Sequence, residues 1–159
     1  MKTLSKILII DTATKHIFLS LIINQKEKAS VYQEGINNHS VTIIPLLDEM
    51  LKEENITLKD LDEIIIGIGP GSYTGVRIGV TVAKMIGYLN DTGVKTVSSL
   101  ALIASSSNKE YVIPYIDARL GNAFMAVFKN DRGVLKRVEE DCLESMEEYK
   151  NKHQFGFDF

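Results

Sequence analysis

The sequence predicts an α/β fold in two lobes. It combines alternating strand and helix patterns with an internal repeat and an ordinary globular composition. Of its 159 residues, 45% are hydrophobic and 25% are charged, which is typical of a folded domain. Short β-branched apolar runs alternate with segments in which apolar residues recur at helical spacing. We expect a first lobe over residues 1–108 and a partial second lobe over residues 109–159.

The first lobe is predicted to follow the order βββαβαβα. The first strand is a β-branched apolar run that ends at Asp11, and we expect it to be buried on both faces. Ile43, Leu47 and Leu51 recur at the spacing of a helix. The predicted elements are strands over 6–10, 17–24 and 29–33, a helix over 39–54, a strand over 62–68, a helix over 74–90, a strand over 95–97 and a helix over 98–106.

The pattern of the opening strands then recurs at an offset of 106 residues. Ile10-Asp11 aligns with Ile116-Asp117, and the polar turn Gln25-Lys26 aligns with Asp131-Arg132. A duplicated three-strand opening explains these matches, and a missed repeat would misassign the fold. The second copy is predicted to contain strands over 111–117, 122–128 and 135–139 and a helix over 143–150, without the later elements of the first.

Charge and cysteine content argue against several classes of protein. The 18 basic and 21 acidic residues give a net charge of −3, so the basic excess that supports autonomous nucleic-acid binding is absent. The single cysteine, Cys142, cannot form an internal disulfide, and the three histidines have no zinc-ligand spacing. We therefore expect a cytoplasmic protein with no metal and no membrane span. The six carboxylates between Glu139 and Glu148 are expected to form the solvated face of a helix.

A glycine-rich segment over residues 67–75 joins a predicted strand to a helix. The free amides of a helix N-terminus could hold an anion, but the segment is neither a Walker A loop nor a dinucleotide fingerprint. The alternative is a tight turn in which glycines supply positive φ and Thr74 caps the helix. Strand-end aspartates could also face one another across a cleft. The candidates for a degenerate phosphate site are Asp11, Thr12, Gly69, Gly71, Ser72 and Asp117.

The helix over 74–90 carries a stripe of small residues at every fourth position, formed by Gly75, Gly79, Ala83 and Gly87. A glycine inside a helix costs about 1 kcal/mol relative to alanine, so the stripe needs a compensating close contact. Bulky apolar residues occupy a second side, and a narrow polar band includes Tyr88. One apolar side is expected to cover the sheet, and the other to meet the first helix, a second chain, or both.

Several motifs together resemble the TsaB family. The most specific is Gly69–Gly79, with the sequence GPGSYTGVRIG. The motifs occur in the order of the family and cover about residues 5–130. They are Ile9–Ala13, His39-Ser40 with Pro45–Leu47, Gly69–Gly79, Ala83-Lys84, Val97–Leu100 and Ile116–Arg119.

The resemblance implies an actin-like ATPase fold (ASKHA, ribonuclease H-like) with duplicated βββαβα lobes, the second incomplete here. It implies a non-catalytic partner that binds and activates TsaD in threonylcarbamoyl transfer to the adenosine next to the tRNA anticodon (t6A), with TsaE completing the assembly. The chain would then need no cofactor of its own. ATP or ADP could bind at the complex interface through the partners, tRNA would be reached only through the complex, and a homodimer could form in isolation.

The resemblance also implies which residues would meet TsaD, because the family uses its first two helices for that interface. The implied residues are Ile43, Leu47, Leu51, Gly75, Val76, Gly79, Val80, Ala83 and Gly87. Replacing Gly79 by leucine is then expected to abolish partner binding while the monomer stays folded, unless the stripe is internal packing.

The chain departs from a TsaD-like catalyst at two places. Val97–Leu102 lacks the family's pair of metal-binding histidines, and Thr12–Lys15 lacks the glycines of a phosphate-binding hairpin. The competing hypothesis is a small ATPase or kinase that binds nucleotide between its lobes through Asp11, Asp117 and the glycine loop. A peptidase is not supported, because the sequence shows no pair of nucleophile and base.

Overall fold

The computed structural model describes residues 5–35 and 38–153 and divides the chain into two compact units. The first unit comprises the residues up to 68 together with 72–97, and the second comprises 69–71 and the residues from 98 onward. The boundary between them lies at 97/98, whereas the sequence predicted it at 108/109.

The first unit is built on a five-stranded mixed sheet. Its strands are β1 (Lys6–Asp11), β2 (His16–Ile23), β3 (Lys26–Glu34), β4 (Glu63–Gly67) and β5 (Gly93–Val97), in the order β3-β2-β1-β4-β5. β1 pairs with β2 antiparallel and with β4 parallel, and β5 is parallel to β4. The parallel pairs require crossover connections, and the helices α1 (His39–Glu53) and α2 (Tyr73–Asn90) provide them, with a short 3-10 turn at Leu58–Asp60.

The core of this unit lies between one face of the sheet and both helices. Leu8 and Ile10 of β1 are in register with Ile64 and Ile66 of β4, and all four are buried. The helices add Ile43, Leu47, Met50 and Leu51 from α1 and Val82, Ala83 and Ile86 from α2. On the other face of β1, Ile7 and Ile9 are only partly buried, so β1 is less buried on that face than the sequence predicts.

The second unit is built on an antiparallel sheet with β8 at its centre. β8 (Asn122–Asp131) pairs with β6 (Tyr111–Val112) and β7 (Tyr115–Asp117) on one side and with β9 (Val134–Ser145) on the other. The helix α3 (Ser99–Ala104) packs Leu100 and Ala104 against Val112 and Phe128. These contacts place α3 in the second unit, which explains the unit boundary.

The end of the second unit differs most from the prediction. β9 runs through the stretch of carboxylates to Ser145, and α4 (Met146–Lys152) begins only there. The cross-strand pairs Met125 with Cys142 and Phe124 with Leu143 hold this stretch in the sheet, so Glu139, Glu140, Asp141 and Glu144 lie on a strand instead of a helix face. The strand predicted over 111–117 is interrupted at Pro114, which has no N–H to donate.

The two three-strand openings share their topology and a local hydrogen bond. Oδ1 of Asp11 accepts the N–H of Ala13 and Oδ1 of Asp117 accepts the N–H of Arg119, both at 2.8 Å. The tight turns lie at Asn24-Gln25 and Arg132-Gly133, where φ is positive at both residues. Each turn is displaced by one residue from its predicted position, in opposite directions, so the fixed offset of 106 does not hold beyond the first strand.

Candidate partner interface

The small residues of α2 face the sheet of their own unit. A Cβ atom at Gly75 would overlap the carbonyl oxygen of Thr12, and one at Gly79 would overlap the hydroxyl of Thr12. At Gly87 a Cβ would lie 2.6 Å from Cγ2 of Val94, closer than van der Waals contact allows. The stripe therefore lets α2 lie close to the end of β1 and to β5, and this contact compensates for the glycines.

This packing places most of the predicted interface residues in the interior of the first unit. The residues assigned to a partner that the structure places in the interior are Ile43, Leu47, Leu51, Gly75, Gly79, Ala83 and Gly87. Val76 and Val80 are partly buried, and Val80 packs against the core. Helical periodicity finds two apolar sides on α2 but does not say which one meets the sheet. The small side meets it here because only small residues allow so close an approach.

The outward side of α2 instead carries large apolar side chains. Tyr88 is 89% exposed and Leu89 is 70% exposed, with Met85 also exposed. Tyr73 is exposed at the other end of the helix, where the guanidinium carbon of Arg77 lies 5.3 Å from its ring centroid. The neighbouring α1 exposes Val41 and Ile44. We call Val41, Ile44, Tyr73, Met85, Tyr88 and Leu89 the outer helix face.

An open groove of about 360 Å³ runs between the two helices of this face. It is lined by Ser40 of α1 and by Thr74, Arg77, Ile78, Thr81 and Val82 of α2. Ile78 and Val82 provide apolar lining, and three hydroxyls and one guanidinium provide polar groups. Four of the six lining residues are polar or charged, so the groove combines apolar surface with hydrogen-bonding groups.

The residues of the outer helix face were missed because the resemblance assigned the small-residue stripe of α2 to the partner. Helical spacing places Tyr88 in a narrow polar band and Leu89 on a bulky apolar side that could equally cover the sheet. The signal that could have found them is the spacing of the glycines, since a stripe of glycines can approach a backbone more closely than bulky residues can.

The start of α2 is engaged by contacts within its own unit. Oγ of Ser72 accepts the N–H of Gly75 at 3.1 Å, and the N–H of Ser72 donates to the carbonyl of Ala13 at 2.7 Å. The hydroxyl of Thr12 donates to the carbonyl of Gly75 at 2.7 Å. Ser72 is therefore the cap of the helix, in place of the predicted Thr74, and these contacts favour the tight-turn interpretation of the segment.

The candidate phosphate residues are divided between the two units. Asp11, Thr12 and Ser72 belong to the first. Gly69, Gly71 and Asp117 belong to the second, where the N–H of Gly69 donates to Oγ of Ser99 at 3.0 Å. Over residues 5–35 and 38–153, no three His, Cys, Asp or Glu side chains are grouped so as to hold a metal ion, and no helix is long and apolar enough to cross a membrane.

Known proteins resemble this chain over most of its length. A sequence profile of the family described as TsaD, tRNA N6-adenosine threonylcarbamoyltransferase, matches residues 16–155. The tRNA threonylcarbamoyladenosine biosynthesis protein TsaB of Bacillus subtilis (strain 168) is 34% identical over 85% of this chain and 60% of its own length. The protein of the same name from Escherichia coli (strain K12) is 32% identical, again over 85% and 60%.

A solved structure agrees with these sequence matches. YeaZ from Pseudomonas aeruginosa superposes with a TM-score of 0.82 at 26% identity, over 89% of this chain and 68% of that one. Together with the mixed sheet, the profile and this structure confirm the predicted actin-like (ASKHA) class of α/β fold. The chain spans about three fifths of the length of the two curated relatives.

Proposed function

This chain belongs to the TsaB proteins, within the family that the TsaD profile describes, and from that premise we propose that it is a non-catalytic partner in t6A biosynthesis. It binds a TsaD-type protein and supports transfer of the threonylcarbamoyl group to adenosine next to the tRNA anticodon. TsaE and any nucleotide join through the assembled complex, and tRNA contacts the assembly mainly through the other subunits.

The outer helix face is the observation that carries the proposal. Large apolar side chains exposed together on adjacent helices mark a surface that another protein covers. Tyrosine, methionine and arginine are enriched at such interfaces, and Tyr73, Arg77, Met85 and Tyr88 lie along a single helix. The partner that fits is one that lays apolar helix residues across α1 and α2 and places one in the groove between them.

An accessory role agrees with the chemistry of the rest of the chain. Val97–Leu102 offers no histidine to a metal, and the donors Ser72 N–H and Gly75 N–H at the start of α2 bond within their own unit. With a net charge of −3, the chain lacks the basic excess that tRNA binding on its own would need. Its contribution is therefore to bind and activate its partner.

Replacing Tyr88 by lysine tests the proposal. We expect Tyr88→Lys to weaken the complex with TsaD of the same organism by about tenfold or more, because it places a charge on the apolar outer helix face. Light scattering coupled to size-exclusion chromatography, followed by a titration, measures this change. The matched control is Leu120→Lys, because Leu120 is 99% exposed on the turn between β7 and β8. This substitution should leave binding unchanged.

Two outcomes would contradict the proposal. No complex with the unmodified chain at high micromolar concentration would overturn partner binding itself. A complex that tolerates both Tyr88→Lys and Leu89→Lys would remove the outer helix face as its site.

The same light-scattering measurement on the chain alone reports self-association. A dimer that Tyr88→Lys dissociates would show that a second copy uses this face when the partner is absent.

A further inference from the structure

Titratable side chains converge where α4 meets β9 in the second unit. Glu139 and Cys142 come from β9, and Tyr149 and His153 come from α4 and the residue that follows it. Tyr149 is buried in an apolar cluster with Ile113, Ala123, Met125 and Val127. Through Tyr149, α4 therefore covers one face of the second sheet, and the groups around it decide how firmly the helix is held.

Hydrogen bonds join these side chains into one network. The hydroxyl of Tyr149 donates to Oε2 of Glu139 at 3.1 Å. Nε2 of His153 lies 3.1 Å from Oε1 of the same carboxylate, and Nδ1 lies 3.0 Å from the carbonyl oxygen of Tyr149. The two rings stack with their centroids 4.4 Å apart, and the side chain of His153 is only 14% exposed.

The protonation state of His153 follows from these neighbours. Both of its ring nitrogens face oxygens that only accept hydrogen bonds, a carbonyl and an ionised carboxylate. A neutral imidazole carries one N–H and could satisfy one of them, leaving a nitrogen lone pair against the other oxygen. Only the imidazolium cation donates to both, and its charge also strengthens the bond to Glu139.

We infer that protonated His153 is a latch that fastens α4 onto β9, so that the second unit contains a pH-sensitive closure over one face of its sheet. When the latch is closed, His153 bridges the backbone of α4 and the carboxylate of β9. When His153 loses its proton, one of these two bonds is lost, while the contacts of Tyr149 and Met146 and the Lys152–Glu144 ion pair remain.

The charges that face His153 come from both packed elements. Burial opposes the cation, but the hydrogen bonds to the Glu139 carboxylate and the Tyr149 carbonyl outweigh it, and together they raise the pKa of His153 above its ordinary 6.5. The Lys152 ammonium on α4 acts weakly in the opposite direction. On β9 the hydrogen bond from His153 lowers the pKa of Glu139, and burial raises the pKa of Cys142.

The pH range of the latch follows from the signs of these shifts. A raised pKa in the folded protein gives a stabilisation that is complete below the unfolded value of 6.5 and is lost as pH rises through the folded value. The lowered pKa of Glu139 gives a stabilisation that is complete above 4.5 and is lost as pH falls through its folded value. The latch is therefore tightest between these two values and opens on the alkaline side.

Proton NMR of the full chain tests the latch, because only three histidines contribute imidazole signals. We expect one histidine to titrate with a midpoint above 6.5, and that signal to disappear in His153→Gln. The melting temperature of His153→Gln should fall further below that of the unmodified chain at pH 6 than at pH 9, because neutral His153 keeps one of its two bonds. Hydrogen exchange of the α4 amides, corrected for intrinsic rates, should be less protected at pH 9.

His16→Gln is the matched control. His16 stacks on Tyr32 in the first unit, with ring centroids 4.3 Å apart, so its replacement should leave the imidazole signal of His153 and its midpoint unchanged. A His153 midpoint at or below 6.5, or an equal effect of His153→Gln at pH 6 and pH 9, would overturn the inference. If His153→Gln does not fold, Glu139→Gln serves instead: it must lower the His153 midpoint, and an unchanged midpoint overturns the latch.

Discussion

Thr12 sets how closely α2 can approach the sheet. Its side chain is fully buried, and its hydroxyl donates to the carbonyl of Gly75. A side chain at Gly79 would overlap this hydroxyl, and a side chain at Gly75 would overlap the carbonyl oxygen of Thr12. A helix at this distance leaves no room for a methyl group at Gly75 or Gly79. The glycines are therefore required by the fold of the single chain, whatever partner it binds.

Replacing Gly75 by alanine should reveal this constraint. The new Cβ meets backbone, which cannot rotate away, so we expect the free energy of unfolding to fall by about 1–3 kcal/mol, as in other overpacked sites. Urea unfolding followed by circular dichroism measures it. The control is Gly93→Ala, since a Cβ at Gly93 meets nothing within 4 Å and should change stability by no more than about 0.5 kcal/mol. Equal effects at both glycines would refute the explanation.

The same geometry reverses the expectation for Gly79→Leu. The sequence predicted that this variant would lose its partner and stay folded. In the structure even the first side-chain atom at Gly79 would overlap the hydroxyl of Thr12, so leucine would displace α2 from the core. Loss of binding by that variant would report damage to the first unit, and for this reason the test of the interface uses the exposed Tyr88.

The helices α2 and α4 differ in how their first turns are capped. Ser72 accepts the N–H of Gly75 and caps α2, whereas Ser145 at the start of α4 makes no such side-chain hydrogen bond. The side chain of Ser72 is therefore expected to contribute to the free energy of unfolding, whereas Ser145 only occupies the cap position.

Ser72→Ala should lower the free energy of unfolding by about 1 kcal/mol, the usual effect of removing an N-terminal cap. Ser145→Ala is the paired control and should change it by clearly less, because no cap bond is lost. Thermal unfolding of both variants under the same buffer conditions compares them. A larger loss at Ser145 than at Ser72 would contradict the assignment of the caps.

The long helices with a clear period were predictable, and the acidic strand β9 was not. α1 and α2 begin and end within one residue of the predicted bounds. The acidic residues of β9 resembled a helix face because Leu143, Met146 and Tyr149 recur at helical spacing. The sequence alone does not reveal that Cys142 pairs with the buried Met125 across the sheet. The orientation of α2 depended likewise on a contact with Thr12, which is distant in sequence.

Hydrogen bonds within each of the two units argue against the competing ATPase or kinase hypothesis. An actin-like fold supplies a place for nucleotide only where backbone donors remain free to meet phosphate. At the start of α2 the N–H groups of Ser72 and Gly75 already donate within the first unit, and the N–H of Gly69 donates to Ser99 in the second. The donors named here would have to break these bonds before they could bind a phosphate.

We therefore expect millimolar magnesium–ATP to leave the melting temperature of the isolated chain unchanged. A ligand present at 100 times its dissociation constant would add about 2.7 kcal/mol to the stability of the folded state, which differential scanning fluorimetry detects easily. Magnesium with inorganic sulfate at the same ionic strength controls for salt. A rise of several degrees with ATP alone would favour the ATPase or kinase hypothesis over the accessory role.

β9 has a consequence for how the protein behaves at high concentration. In the part of the chain that the structure describes, β9 pairs only with β8, so its other side is a strand edge, and open edges invite pairing with another molecule. Six of its twelve residues are charged, and the acidic ones are clustered. Two such edges repel each other as they approach, so the acidic stretch protects this long strand against aggregation.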